Sequence, residues 1–235
     1  MGANYLAVRI RPSRGVVIAI VVLALLAALA YTGYAGTAVY QQLDSGRTEL
    51  AAAQAGMKSA TQSGDAGQLR LAAAQLRQAE ADFSEAGRRA RNDPALRLVG
   101  GVPGAGRNLD AVTHLAAIGA DMSRAGEAAA AVAIQVTGLK QQYAGRALTP
   151  DDLQAVLRQA QGIAKEYSAS TQAIGQQLRA AHAERAEVTT TDLVGPLKDA
   201  YDAVDAALAQ ADTAFLRFQD VRQVLSDFLG VRLPA

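Results

Sequence analysis

The chain has 235 residues, with 23 Lys and Arg against 22 Asp and Glu, and a net charge of +1 gives no nucleic-acid signal. It contains no cysteine, which removes disulfides, thiolate metal sites and cysteine nucleophiles together. Aromatics make up only 5% of it, with no tryptophan, so abundant alanine must pack helices closely along their length rather than fill a thick core or a sheet sandwich.

The first predicted element is the apolar run Val16–Ala30, VVIAIVVLALLAALA, inside an uncharged stretch between Gly15 and Gln41. As a helix, Val16 to Val39 would cover about 36 Å, against a bilayer hydrocarbon core of about 30 Å. The pattern predicts a transmembrane helix over residues 15–40. Arg9, Arg11 and Arg14 precede it without an acidic residue, whereas Asp44, Arg47 and Glu49 nearly balance beyond it. Positive charge stays in the cytoplasm, so residues 1–14 form a cytoplasmic basic tail and the chain from residue 41 is extracytoplasmic. Tyr31, Tyr34 and Tyr40 suit the outer interface, ring among headgroups and hydroxyl hydrated. A cleaved signal peptide is the rival reading, since Ala28-Leu29-Ala30 supplies a small-x-small site after an apolar core.

Beyond the anchor the pattern is helical almost throughout. Leu43, Gly46, Leu50, Ala53, Met57 and Ala60 alternate by three and four, continuing the anchor helix outward until TQSGDAG at 61–67 stops it. A second helix carries Leu69, Ala72, Leu76, Ala79, Phe83, Ala86 and Ala90, and ends at Asn92-Asp93-Pro94. Asp93 and Pro94 then start one short turn through Leu98. Gly100 to Gly106 form the main flexible break. A third helix from about Asn108 to Tyr143 has the seam Leu115, Ile118, Met122, Ala125, Ala129, Val132, Val136, Leu139, Tyr143 in heptad rhythm. Thr149-Pro150-Asp151-Asp152 opens a fourth, with Leu153, Leu157, Ala160, Ala164, Tyr167, Thr171, Ile174, Leu178 and Ala181 as its seam to near Glu187. Thr189 to Asp192 are expected to cap a fifth, with Leu197, Tyr201, Val204, Leu208, Ala211, Phe215, Phe218, Leu225 and Leu229. Short loops between long helices favour antiparallel neighbours. The expected fold is therefore all-α: one transmembrane helix, then an elongated antiparallel bundle with coiled-coil-like packing over 41–230, and a tail at 231–235.

Catalytic patterns are not found. Gly101 and Gly106 have phosphate-loop spacing, but Arg107 and Asn108 stand where Lys and Ser or Thr belong and no strand precedes them. Leu109 breaks the dinucleotide pattern that Gly104 and Gly106 would start. His114 and His182 lie on different helices, away from metal-ligand spacing, and read as bundle-edge histidines. Asp151 and Asp152 suit a helix start, and Asp199, Asp202 and Asp205 a solvated face. The expectation is a non-enzymatic protein without cofactor or metal.

One charge cluster stands out: Arg88, Arg89, Arg91, Arg97 and Arg107, with Asp93 the single acid between Arg88 and Arg107. If the second helix turns back at Gly64, these arginines return to the outer headgroups. Arginine forks match phosphate oxygens, so they are candidate contacts for an anionic lipid or a lipid-linked phosphate. A solvated arginine-rich turn with local partners is the plainer alternative.

The segment Pro94 to Leu115, with Val102, Pro103, Gly106 and Leu109, resembles the amino-terminal region of bacterial envelope proteins in the domain-of-unknown-function family 4012. The order of anchor, helical pair, glycine loop and long helices is also similar, over about residues 15–230. Those proteins continue into a larger domain from about the position of Leu229 and Gly230, where this chain nears its end. The resemblance implies a cell-envelope role near surface-polysaccharide production. The expected function is a membrane-tethered extracytoplasmic scaffold with the bilayer and an envelope protein as partners. The alternative is a periplasmic helical-bundle sensor that binds a small ligand, against which stands the short cytoplasmic stretch Met1 to Arg14.

Overall fold

The structure, a computed structural model, describes the backbone of residues 14–102, 104–143 and 150–219; side chains are described there except at 14–34, 61, 150–153, 156, 157, 160, 161 and 164. The chain is all-α, with no strand among the described residues: α1 (Arg14–Ser63), α2 (Ala66–Asn92), α3 (Pro94–Gly100), α4 (Ala105–Tyr143), α5 (Pro150–Glu187) and α6 (Gly195–Gln219). At 1.5 Å per residue, the 50 residues of α1 span about 75 Å and the 39 of α4 about 58 Å.

Local chemistry sets most of the boundaries. α1 ends where Gly64 takes φ +68, and Asp65 caps α2 by accepting from the amides of Gly67 and Gln68. Asp93 ends α2 in extended backbone, and its side chain accepts from the amides of Ala95 and Leu96 to start α3. Pro94 occupies the first turn of α3, where its missing N–H costs nothing. Gly104 at φ +87 turns the chain into α4. The expected cap at Thr189–Asp192 is corrected: α6 begins three residues later, at Gly195. Asp192 adopts φ +67, which interrupts any helix there. The amides of Leu197 and Lys198 instead bond the Val194 carbonyl, and Pro196 falls in the first turn.

The helices alternate in direction. Phe83 of α2 lies against Gly46 of α1, while Ala72, Ala73 and Leu76 meet Ala53, so α1 and α2 are antiparallel. Leu76 faces Gly126 and Gly87 faces Ala116, so α2 and α4 are antiparallel too. His114 opposite Glu184 and Gln135 opposite Glu166 give α4 and α5 the same relation, and Arg185–Asp205 and Tyr167–Phe218 do so for α5 and α6.

Each predicted seam of α1 and α2 faces inward: Gly46, Ala53 and Ala60 of α1 and all seven α2 positions from Leu69 to Ala90 are buried. The layout has two three-helix faces that share α4. On one, Ala116, Gly119, Ala120, Gly126 and Ala130 of α4 meet α1 and α2. On the other, Leu115, Ile118 and Ala125 pack with Ile174, Leu178 and Ala181 of α5 and Leu208 of α6. The predicted α4 seam is this second face. The first is built of residues too small to mark a stripe, and α4 is buried on both sides. Phe83 is its key: a Cβ on Gly119 would stand 2.8 Å from three ring carbons, and one on Gly46 3.1 Å from Cε2 and Cζ of the same ring.

Several expectations fall outside the described residues. They are the tail from 220, with Leu225 and Leu229; Thr149; the side chains of Asp152, Leu153, Leu157, Ala160 and Ala164; and Arg9, Arg11, Tyr31 and Tyr34. Val16 to Ala30 are helical within α1, but the surroundings of their side chains are outside that set. Among the described residues, no helix is long and apolar enough to cross a membrane.

Candidate functional site

The five arginines gather at one end of the bundle, and packing shows which end. Ala35 and Val39 of α1 are buried with Ala86 of α2, Leu96 of α3 and Ala116 of α4. The α2–α3 corner therefore sits beside α1 where the chain leaves the apolar run.

The α5–α6 connection closes the same end. Arg107 Nη1 donates to Asp192 Oδ2 at 2.6 Å, and Asn108 Oδ1 accepts from the Val194 amide at 2.9 Å. Leu98, Val102 and Val194 are exposed here at 76%, 55% and 53%, an apolar tip beside the arginines. Tyr40 is 67% exposed.

The arginines divide by partner. Arg88 and Arg89 both reach Glu85, with Nε to oxygen distances of 2.8 and 2.6 Å. Hydrogen bonds from Arg89, then from Arg88, hold the Glu85 carboxyl below its ordinary range. These side chains remain 65% and 45% exposed, and such surface pairs contribute about 0–1 kcal/mol, so they do not preclude a phosphate contact. Arg91 and Arg97 make no ion pair among the described residues. They line a cleft of about 550 Å³ between α2, α3, α4 and α5, with Asp110, Thr113, His114 and Glu184 on the facing side. The cluster is thus part local ion pairs and part open cationic wall.

Sequence reading missed four participants. Glu85 lies just before the arginines at i,i+3 and i,i+4 spacing, a legible signal. Asp110 lies three residues after Arg107 on α4, whereas Asp192 and Glu184 come from elsewhere in the chain, where no local pattern points to them. His114 and His182 lie at bundle edges as expected. Each meets a carboxylate of the next helix, His114 Nδ1 with Glu184 Oε2 at 2.7 Å and His182 Nε2 with Asp212 Oδ2 at 2.9 Å. The presumed solvated face of α6 is partly tied down, Asp202 to Lys198 and Asp205 to Arg185.

Among the described residues the most buried ionisable group is Asp121, 8% exposed. Its burial pushes the carboxyl above its ordinary value, against the pull of Arg124 at 2.8 Å and with a smaller push from Glu184. Arg124 also bonds Glu80 of α2, so the group reads as an inter-helix strut. No set of three His, Asp or Glu suited to a metal exists among the described residues. No protein-family model matches the chain, and no curated protein or solved structure does.

Proposed function

We propose that this protein is a non-enzymatic, membrane-tethered helical scaffold of the bacterial cell envelope, with its amino terminus cytoplasmic and its bundle outside. The observation that carries the proposal is the packing of the arginine-bearing corner against Ala35 and Val39, directly after the apolar run. With those two residues inside the bundle, residues 15–34 remain for the bilayer, about 30 Å of helix against about 30 Å of hydrocarbon. Arg88, Arg89, Arg91, Arg97 and Arg107 then stand at the level of the outer headgroups, with Leu98, Val102 and Val194 able to enter the interface. Each basic residue near an anionic surface contributes about 1 kcal/mol, so the corner docks the rod upright on phosphates of lipids or lipid-linked precursors. The exposed length of the rod is the surface for an envelope protein partner. The resemblance of Val102, Pro103, Gly106 and Leu109 to family 4012 would imply for that partner a role near surface-polysaccharide production.

The absence of cysteine supplies a clean test. Single variants Leu98→Cys, Val102→Cys and Ser59→Cys in cells are probed with a membrane-impermeant maleimide, alongside alkaline carbonate extraction. Expected is retention in the membrane, with Ser59→Cys labelled from outside and the other two shielded until detergent is added. Release by carbonate, or equal labelling at all three positions, overturns the proposal.

A ligand-binding helical sensor is the second reading, and the cleft between Arg91, Arg97, Asp110 and Glu184 is the observation in its favour.

A further inference from the structure

We infer that the cleft at the α2–α3 corner binds a zwitterionic phosphate ester of the phosphoethanolamine type. Three facts converge on it. Arg91 and Arg97 line it, and among the described residues neither side chain has a hydrogen-bonded or ionic partner, although the side chains of Arg88, Arg89 and Arg107 of the same cluster are all paired. The Asp110 side chain also lines it and is likewise unpartnered among the described residues, and Glu184, hydrogen-bonded to His114, adds a second carboxylate. Cationic and anionic walls that do not reach each other ask for a ligand carrying both charges.

Size and donor type narrow the class. A volume of about 550 Å³ lies within the range of small-molecule sites. Two guanidiniums offer more forked donors than one carboxylate can accept, whereas the oxygens of a phosphate ester can engage both. A primary ammonium two carbons away supplies three donors for Asp110 and Glu184. Close approach of Gly106 to the Gly100 carbonyl fixes the floor, because a Cβ there would collide with that oxygen. Arg91 folds back over Gly87, whose missing Cβ would lie 3.8 Å from Nη2. The cleft rests on its own geometry, and only the source of the ligand depends on the proposed tether: a lipid headgroup if the corner lies at the bilayer, a free phosphate ester if it does not.

The test is calorimetric titration of the full chain in a non-ionic detergent with O-phosphoethanolamine, inorganic phosphate, ethanolamine and glycine. Expected is one site per chain that prefers O-phosphoethanolamine at least about tenfold over each of the others, as loss of a charge-assisted hydrogen bond implies. Arg91→Gln and Arg97→Gln each weaken binding about tenfold or more. The double variant Asp110→Asn with Glu184→Gln reverses the preference, so that inorganic phosphate becomes the tighter ligand. That gain cannot arise from misfolding. Equal affinity for phosphate and O-phosphoethanolamine in the unaltered chain, affinity for glycine equal to that for O-phosphoethanolamine, no binding, or no effect of the arginine variants would each overturn the assignment. Dihexanoyl phosphatidylethanolamine distinguishes the sources: tighter binding than the free headgroup supports the site with a lipid ligand, weaker binding supports it with a soluble one. A chain that washes out of membranes yet binds O-phosphoethanolamine removes the tether and leaves the site.

Discussion

Replacing Gly119 with alanine should destabilise the bundle, against the usual effect of that change in a helix. Intrinsic propensity favours alanine by about 1 kcal/mol. The new Cβ, however, would sit 2.8 Å from Cγ, Cδ1 and Cδ2 of Phe83, whose Cε2 and Cζ already lie against Gly46. The ring has no free side to retreat to, and α2 must move from α4. Overpacking of this kind costs about 1–3 kcal/mol, leaving a net loss of up to about 2 kcal/mol. For a bundle of this size that lowers the melting temperature by up to about 8 °C. Phe83→Ala alone should cost about 3–5 kcal/mol, since Phe83 is 7% exposed. In that background Gly119→Ala changes sign: it fills part of the void and gains propensity, stabilising by about 1–2 kcal/mol. The four chains are compared by thermal and urea melts followed by far-ultraviolet circular dichroism in a non-ionic detergent. A Gly119→Ala effect with the same sign in both backgrounds would refute the three-helix wedge.

Three further outcomes follow from the same packing. Gly138→Ala on α4 meets open space, so it should stabilise by about 0.5–1 kcal/mol, visible as a small rise in melting temperature; a fall would mean that α4 is crowded there. Gly106→Ala should destabilise the chain and abolish O-phosphoethanolamine binding, because its Cβ collides with the Gly100 carbonyl; unaltered binding argues that the α3–α4 turn does not shape the cleft. Asp121→Asn should help more at pH 7 than at pH 4: burial raises the folded-state pKa above the unfolded one, so the native chain binds the extra proton and stability falls as pH rises through that window. Paired melts at the two pH values check it, and a larger benefit at pH 4 would show that the Arg124 bond outweighs burial.

Helices and most of their ends were legible because their causes are local. Asp65, the Asp93-Pro94 pair and Pro150 act within a turn of themselves, and the bulky seams of α2 and α5 repeat at helical spacing. The return of Arg88 to Arg107 to the level of the end of the apolar run could be counted from the part of α1 beyond that run, the similar length of α2 and one short turn. α6 was placed too early because Thr189 to Asp192 carry good capping side chains. Tertiary contact spends Asp192 on Arg107, and the chain there takes φ +67.

What only the tertiary structure decided has two physical reasons. Hydropathy contrast finds faces made of large residues, so the seam of α4 toward α5 and α6 was visible, whereas Ala116, Gly119, Gly126 and Ala130 bury α4 against α2 without any contrast to read. Charge partners distant in sequence leave no local trace: Arg107 with Asp192, His114 with Glu184, and the unmatched walls Arg91, Arg97 and Asp110 meet only because α2, α3, α4 and α5 converge at one corner. Composition and periodicity determined that the chain would be a helical rod with an apolar start and an arginine cluster. Close packing of alanine and glycine determined which of those arginines are paired and which face an open cleft.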